Sequence, residues 1–255
     1  MLPATIVPIE HLSMTRNDEV FMALLHLVQL NADYRAFFRA KARTGKLVIM
    51  DNSAVEVPEL ATIDGVIAGA AYIGASEIIL PDKLREAAYT ERMTVEGLTK
   101  LQDVFPEGPP FQVMVVPQGR DVEEWTTCAR SLSKLKGINT IGISYTVTNY
   151  FKTRAEAIKR AKLDECGLNL HLLGCFDVKE AQATAKKYPQ IRSIDSAIAT
   201  VFAEGNVQLD SGHQRSKDPA ARKVDFEHSK CSRAKLEVEV DYWRVEILKT
   251  EAFKS

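Results

Sequence analysis

The chain has no C-x-x-C pair. Its four cysteines, Cys128, Cys166, Cys175 and Cys231, are scattered, too few and too widely spaced for a disulfide framework, and they imply a reduced, cytoplasmic setting. No apolar run approaches the roughly 20 residues that cross a bilayer. The opening MLPATIVPIEHL is too short, and too interrupted by Pro3 and Pro8, for a signal peptide, so no membrane partner is expected. Charge of one sign is lacking too: 33 Lys and Arg face 34 Asp and Glu, and any hold on a polyanion must come from a local patch. The G-x-G-x-x-G that a dinucleotide-binding fold prefers after its first strand is missing as well.

What remains is a regular alternation. Seven apolar, β-rich runs, ATIVPIE, KLVIMD, EIILPD, FQVMVVPQG, TIGISYT, LHLLGC and IRSIDS, are separated by segments with apolar residues at three- and four-residue spacing, among them DEVFMALLHLVQL and VEEWTTCARSLSKL. The runs are continuous instead of alternating, which suits parallel strands covered on both faces. This reads as one α/β domain, either a (β/α)8 barrel or a doubly wound sheet. The barrel is favoured because the count is near eight, with GNVQL at 205 to 209 as a weak eighth strand. The expected division is a barrel over residues 1–210 and, over 211–255, a basic loop followed by a closing amphipathic segment.

A barrel of this kind builds its site at the C-terminal ends of its strands, and those ends are polar here. The runs finish in Asp51-Asn52-Ser53, Asp82, Gln118-Gly119, Ser144-Tyr145 and Asp195-Ser196. The bland explanation is helix N-capping, which Asp, Asn and Ser favour; Gln118 is a poor cap, and Asp195 precedes an apolar helix start. Converging carboxylates suit glycosidic chemistry, in which one acid attacks the anomeric carbon while another manages protons. A barrel aldolase or phosphate-sugar enzyme is the other enzymatic reading, although no strand-end Lys or glycine-rich phosphate loop is evident. Tyr145 and Tyr150 read as rim packing, His171 as a satisfied core histidine, and Trp125, Phe105 and Leu135 as core anchors.

The strand-end words resemble one family. VIMDNSAVE is similar to the D-S-G-G-[FY]-Q-V segment of the tRNA-guanine transglycosylases, VMVVPQG to their I-V-Q-G and LHLLGCFDVKEA to their Y-L-M-G-V-G, while SIDS falls at their nucleophilic aspartate. The order is kept over roughly residues 4 to 200. The resemblance implies a (β/α)8 barrel that exchanges guanine in a polynucleotide for a 7-deazaguanine base without a cofactor. It makes Asp195 the nucleophile and Asp51 the general acid/base. It has Asp82 and Gln118, with Gly119, hydrogen-bond the base edge, Gly142 flank it, and Gly174 keep the pocket floor open. The family's C-x-C-x-x-C zinc motif has no counterpart; His228 and Cys231 are two candidate ligands where four are needed, and no metal is expected. Asn52-Ser53-Ala54 replaces Ser-Gly-Gly. A compact, zinc-free chain looks most like the phage branch that inserts 7-deazaguanines into DNA, the DpdA type, so DNA is the expected polymer and tRNA the alternative. Arg215, Lys217, Arg222 and Lys223 in GHQRSKDPAARK are the expected phosphate contacts.

Overall fold

A computed structural model describes residues 1–205, 208–209 and 224–250. Eight parallel strands form one nearly closed barrel: β1 (Leu2–Thr5), β2 (Val20–Leu24), β3 (Leu47–Asp51), β4 (Glu77–Ile79), β5 (Gln112–Val115), β6 (Thr140–Ser144), β7 (Asn169–Leu173) and β8 (Ile191–Ser196). Their hydrogen-bonded order is β1-β8-β7-β6-β5-β4-β3-β2. The helices between them are α1 (Leu25–Leu30), α2 (Ala32–Arg43), α3 (Ile63–Ile73), α4 (Ala87–Val104), α5 (Val122–Leu132), α6 (Arg154–Ala161), α7 (Val178–Lys187) and α8 (Ile198–Glu204), with α9 (Arg233–Leu248) closing the chain. No described helix is long and apolar enough to cross a membrane.

One strand is not where the sequence pattern puts it. The eighth is Val20–Leu24, inside DEVFMALLHLVQL, whose spacing reads as a single helix. β2 runs straight into α1, with Leu24 in extended geometry as the cap, so no turn residue marks the change. The expected strand at 205 to 209 is not formed: Gly205 ends α8 in helical geometry, Gln208 and Leu209 are not strand, and Asn206 and Val207 lie outside the described residues.

The helices start on local caps. Side chains of Asn31, Thr62, Asp121, Thr153 and Asp177 accept backbone amides at the starts of α2, α3, α5, α6 and α7, each satisfying donors that the helix cannot. Ser144 caps only a short 3-10 turn, Tyr145–Asn149. Asp51, Asp82 and Asp195 cap no helix.

β1 and β2, the ends of the strand order, stand side by side. The Thr5 amide donates to Asp18 Oδ2 (3.4 Å), and Arg244 of α9 binds Asp18 Oδ1 (2.7 Å). An ion pair thus ties α9 to Asp18 beside the β1–β2 seam. Burial raises the Asp18 pKa, and Arg244 offsets part of that rise.

Candidate functional site

Because all eight strands are parallel, their C-terminal ends open onto one face, where they surround a cavity of about 650 Å³. Asp51 and Asn52 from β3, Asp82 after β4, Gln118 after β5, Gly174 after β7 and Asp195 on β8 all line it. These are the acids, carboxamide and loop glycine singled out from the sequence.

Register explains why Asp195 points inward. β7 and β8 pair Leu170 with Ile191 but His171 with Ser193, leaving Arg192 as an extra residue on β8. Such a bulge re-aims the side chains beyond it. Asp195 is 7% exposed. Its Oδ1 lies 3.0 Å from His171 Nε2 and accepts from the Gly174 amide (3.2 Å). Gly174 has φ +69, a left-handed geometry costly for any residue with a Cβ; in this turn its amide meets the carboxylate. Arg154 holds the turn from behind: fully buried, it pairs with Glu180 (2.7 Å) and donates to the Gly174 carbonyl (2.8 Å).

Asp51 sits in a different field. Its pKa is raised well above 3.8, first by burial and then by Glu56, with Asp195 and Asp82 adding to the rise. The Ser53 amide donates to Asp51 Oδ2 (2.8 Å), from a residue held at φ 55. The Ser53 hydroxyl pairs with His26 Nδ1 (3.0 Å). At this position the chain accepts a left-handed serine, whose hydroxyl faces His26. Burial lowers the His26 pKa.

Asp82, Asn52 and Gln118 bind one another. Asn52 Nδ2 donates to Asp82 Oδ1 (2.7 Å) and Gln118 Nε2 to Asp82 Oδ2 (2.6 Å). Gln118 Oε1 accepts the Arg85 amide (3.2 Å), and burial brings the Asp82 pKa to about 6 against those two bonds. The pair expected to read a base edge is therefore already knitted across the ends of β3, β4 and β5, and a ligand would meet the acceptor lone pairs that Asp82 retains.

Gly119 and Gly142 stand off the cavity wall. A Cβ on Gly119 would lie 2.3 Å from the Trp125 amide, and one on Gly142 would lie 2.7 Å from Leu173 Cδ1; both glycines allow close packing beside the site. Trp125 donates to the Pro117 carbonyl (2.9 Å) and fixes the end of β5. Tyr145 does line the mouth, tilted against Phe176 at 4.6 Å, whereas the Tyr150 hydroxyl donates to the Gly119 carbonyl (3.1 Å).

Six carboxylates line the cavity, Asp51, Glu56, Asp82, Asp195, Asp225 and Glu227, and no Lys or Arg does so among the described residues. Arg215, Lys217, Arg222 and Lys223 lie outside the described residues. The chain re-enters at Val224, and Phe226 accepts the Ile9 amide (2.9 Å) over the β1 side of the mouth. No group of three or more His, Cys, Asp and Glu among the described residues is arranged to hold a metal ion.

Sequence reasoning missed His26, Glu56 and the Asp225–Glu227 segment. His26 follows the strand hidden in a helical pattern, and Glu56 belongs to the loop after β3. A β2 reading of VFMAL would have exposed His26 as a strand-end residue. Compared with models of known families and with curated proteins, the chain matches none.

Proposed function

We propose that this barrel is a glycosyltransferase that exchanges guanine in DNA for a 7-deazaguanine base through a covalent aspartyl-glycosyl intermediate. The observation that carries the reading is the pairing of unlike acids in one cavity. Asp195 is held through one oxygen by His171 and the Gly174 amide; Asp51 is biased towards its protonated form. Such a division supplies an attacking carboxylate and a proton donor. Asp195 attacks C1′ as Asp51 protonates the departing guanine, and Asp51 then takes the proton that the incoming base must lose. Asp82 accepts hydrogen bonds from the base edge.

The absence of Lys or Arg from the described lining disfavours the aldolase or phosphate-sugar reading, because a Schiff base or a phosphate clamp needs such a cation. DNA is chosen over tRNA on the resemblance to the compact phage branch. A duplex substrate must first extrude the target nucleoside, at a cost of a few kcal/mol.

The test is incubation of the purified chain with labelled guanine and either duplex DNA, single-stranded DNA or tRNA, followed by nucleoside mass spectrometry. Label in deoxyguanosine is the expected result. Label in tRNA alone would replace DNA by tRNA, and release of guanine without incorporation would make the enzyme a hydrolase.

A further inference from the structure

The cavity acids stand at one end of a polar column that runs through the barrel. At the opposite end Glu77, fully buried on β4, accepts from Arg192 Nη2 (2.6 Å) and from Thr140 Oγ1 (2.5 Å). Arg192 Nε donates to Ser193 Oγ (3.3 Å), Ser193 Oγ meets His171 Nδ1 (2.8 Å), and His171 Nε2 reaches Asp195 Oδ1 (3.0 Å). His171 and Ser193 are both 0% exposed. The apolar packing of a barrel interior does not require this arrangement; five polar side chains are aligned from Glu77 to the carboxylate.

The donor and acceptor inventory gives the column a direction. Arginine only donates and an ionised carboxylate only accepts, so Ser193 Oγ accepts from Arg192, Asp195 Oδ1 takes a proton-bearing His171 Nε2, and the neutral imidazole then receives the Ser193 proton at Nδ1. An imidazole whose Nδ1 accepts carries its proton on Nε2, and Nε2 then donates to Asp195. The Gly174 amide donates to the same oxygen. Rotation of the carboxylate would exchange Oδ1 and Oδ2, and two donors converging on Oδ1 hold it against that rotation. Oδ2 accepts no hydrogen bond from the described residues, and Asp195 lines the cavity.

We propose that His171 is a positioning residue for Asp195, held in its Nε2–H tautomer by Ser193 so that Asp195 presents Oδ2 as the attacking atom. The kinetic consequence rests on the base-exchange reading; the tautomer does not. Imidazole 15N NMR of the intact chain reads the tautomer directly, and the Nε2–H form is expected. An Nδ1–H imidazole would overturn the proposal whether or not the protein exchanges guanine.

In the exchange assay, His171→Leu should lower kcat by on the order of 10- to 100-fold, as loss of an orienting partner does in comparable sites, with KM for guanine nearly unchanged. His171→Gln, which restores an N–H donor, should recover most of the loss. An unchanged kcat in the Leu variant, or no recovery by Gln in a folded protein, would overturn the role. If the Leu variant does not fold, Ser193→Ala removes only a hydroxyl: mixed tautomers and a several-fold lower kcat are expected, and an unaltered tautomer with unaltered kcat would refute the column. Absence of exchange in the wild type would refute the proposed function and leave the NMR result standing.

Discussion

The two ends of the barrel handle buried carboxylates in opposite ways. At the N-terminal end Glu77 is inaccessible, yet it has Arg192 and Thr140 as partners, and its charge is matched inside the protein. At the C-terminal end Asp51, Asp82 and Asp195 face one cavity whose described lining holds no Lys or Arg. Removing charge from water is costly unless a partner compensates. The paired end is built for stability. The cavity end raises the Asp51 pKa, a condition that serves proton transfer and costs stability.

The largest effect expected from breaking the contrast is on chemistry. Asp195→Asn removes the oxygen that would form the glycosyl ester and should lower guanine exchange by at least about 1000-fold, as loss of a nucleophile does elsewhere. The melting temperature should hold or rise, since one of the six acids lining the cavity is gone. Retained turnover in a folded Asn variant would remove Asp195 from the reaction.

The same kind of change at the other end should act on stability. Glu77→Ala strands Arg192 beside a buried void and should cost about 3 kcal/mol in denaturant unfolding. A loss below about 1 kcal/mol would show that solvent reaches Arg192 and that this end is not protected by its pairing.

A pH titration sharpens the comparison at intermediate size. Asp51 and Asp82 have folded pKa values above 3.8, about 6 for Asp82, so the folded state binds their protons more tightly than the unfolded chain. Stability is therefore greatest at low pH with respect to these two groups and falls as pH rises from about 4 through 6 for Asp82, and further as Asp51 ionises. Asp82→Asn should remove the fall centred below pH 6, and Asp51→Asn should raise stability at pH 8 by roughly 1 kcal/mol. A wild-type profile that rises across this window would contradict the assigned field.

The smallest effect concerns backbone strain, which both ends carry. Arg85 after β4 has φ 65 and Lys162 after α6 has φ 58. Replacing either by Gly relieves a left-handed cost of about 1–2 kcal/mol and gives back about 1 kcal/mol in backbone entropy. A net gain of about 0.5 kcal/mol is expected at Lys162. Arg85 should gain less, since its turn also delivers an amide to Gln118. Equal gains would show that the Gln118 contact contributes nothing to holding the turn.

Seven of the eight strands are legible as apolar runs, because a strand covered on both faces is continuously apolar over four to six residues. β2 is not legible. VFMAL and LHLVQL are both apolar at spacings a helix accepts, and the change from one to the other lacks a turn residue, so only pairing of Val20–Leu24 with Leu47–Asp51 decides it. The site follows the same division. Asp51, Asp82, Gln118 and Asp195 stand out because an acid or amide at the end of an apolar run is anomalous whatever the fold. His171 looks like an ordinary interior histidine, and nothing in LHLLG tells that its partner lies 24 residues on at Asp195.

The sequence by itself determined that apolar strands and amphipathic helices alternate, and that polar groups end the strands, because both are properties of short segments. Tertiary structure alone decided that Arg244 of α9 pairs with Asp18 beside the β1–β2 seam and that one extra residue, Arg192, re-aims β8. It also decided that Asp82 and Gln118 bind each other while Asp195 is held through a single oxygen. Those outcomes depend on register and on distances between residues far apart in the chain. Hydrogen bonding and desolvation act over a few ångströms, and no local pattern carries that information.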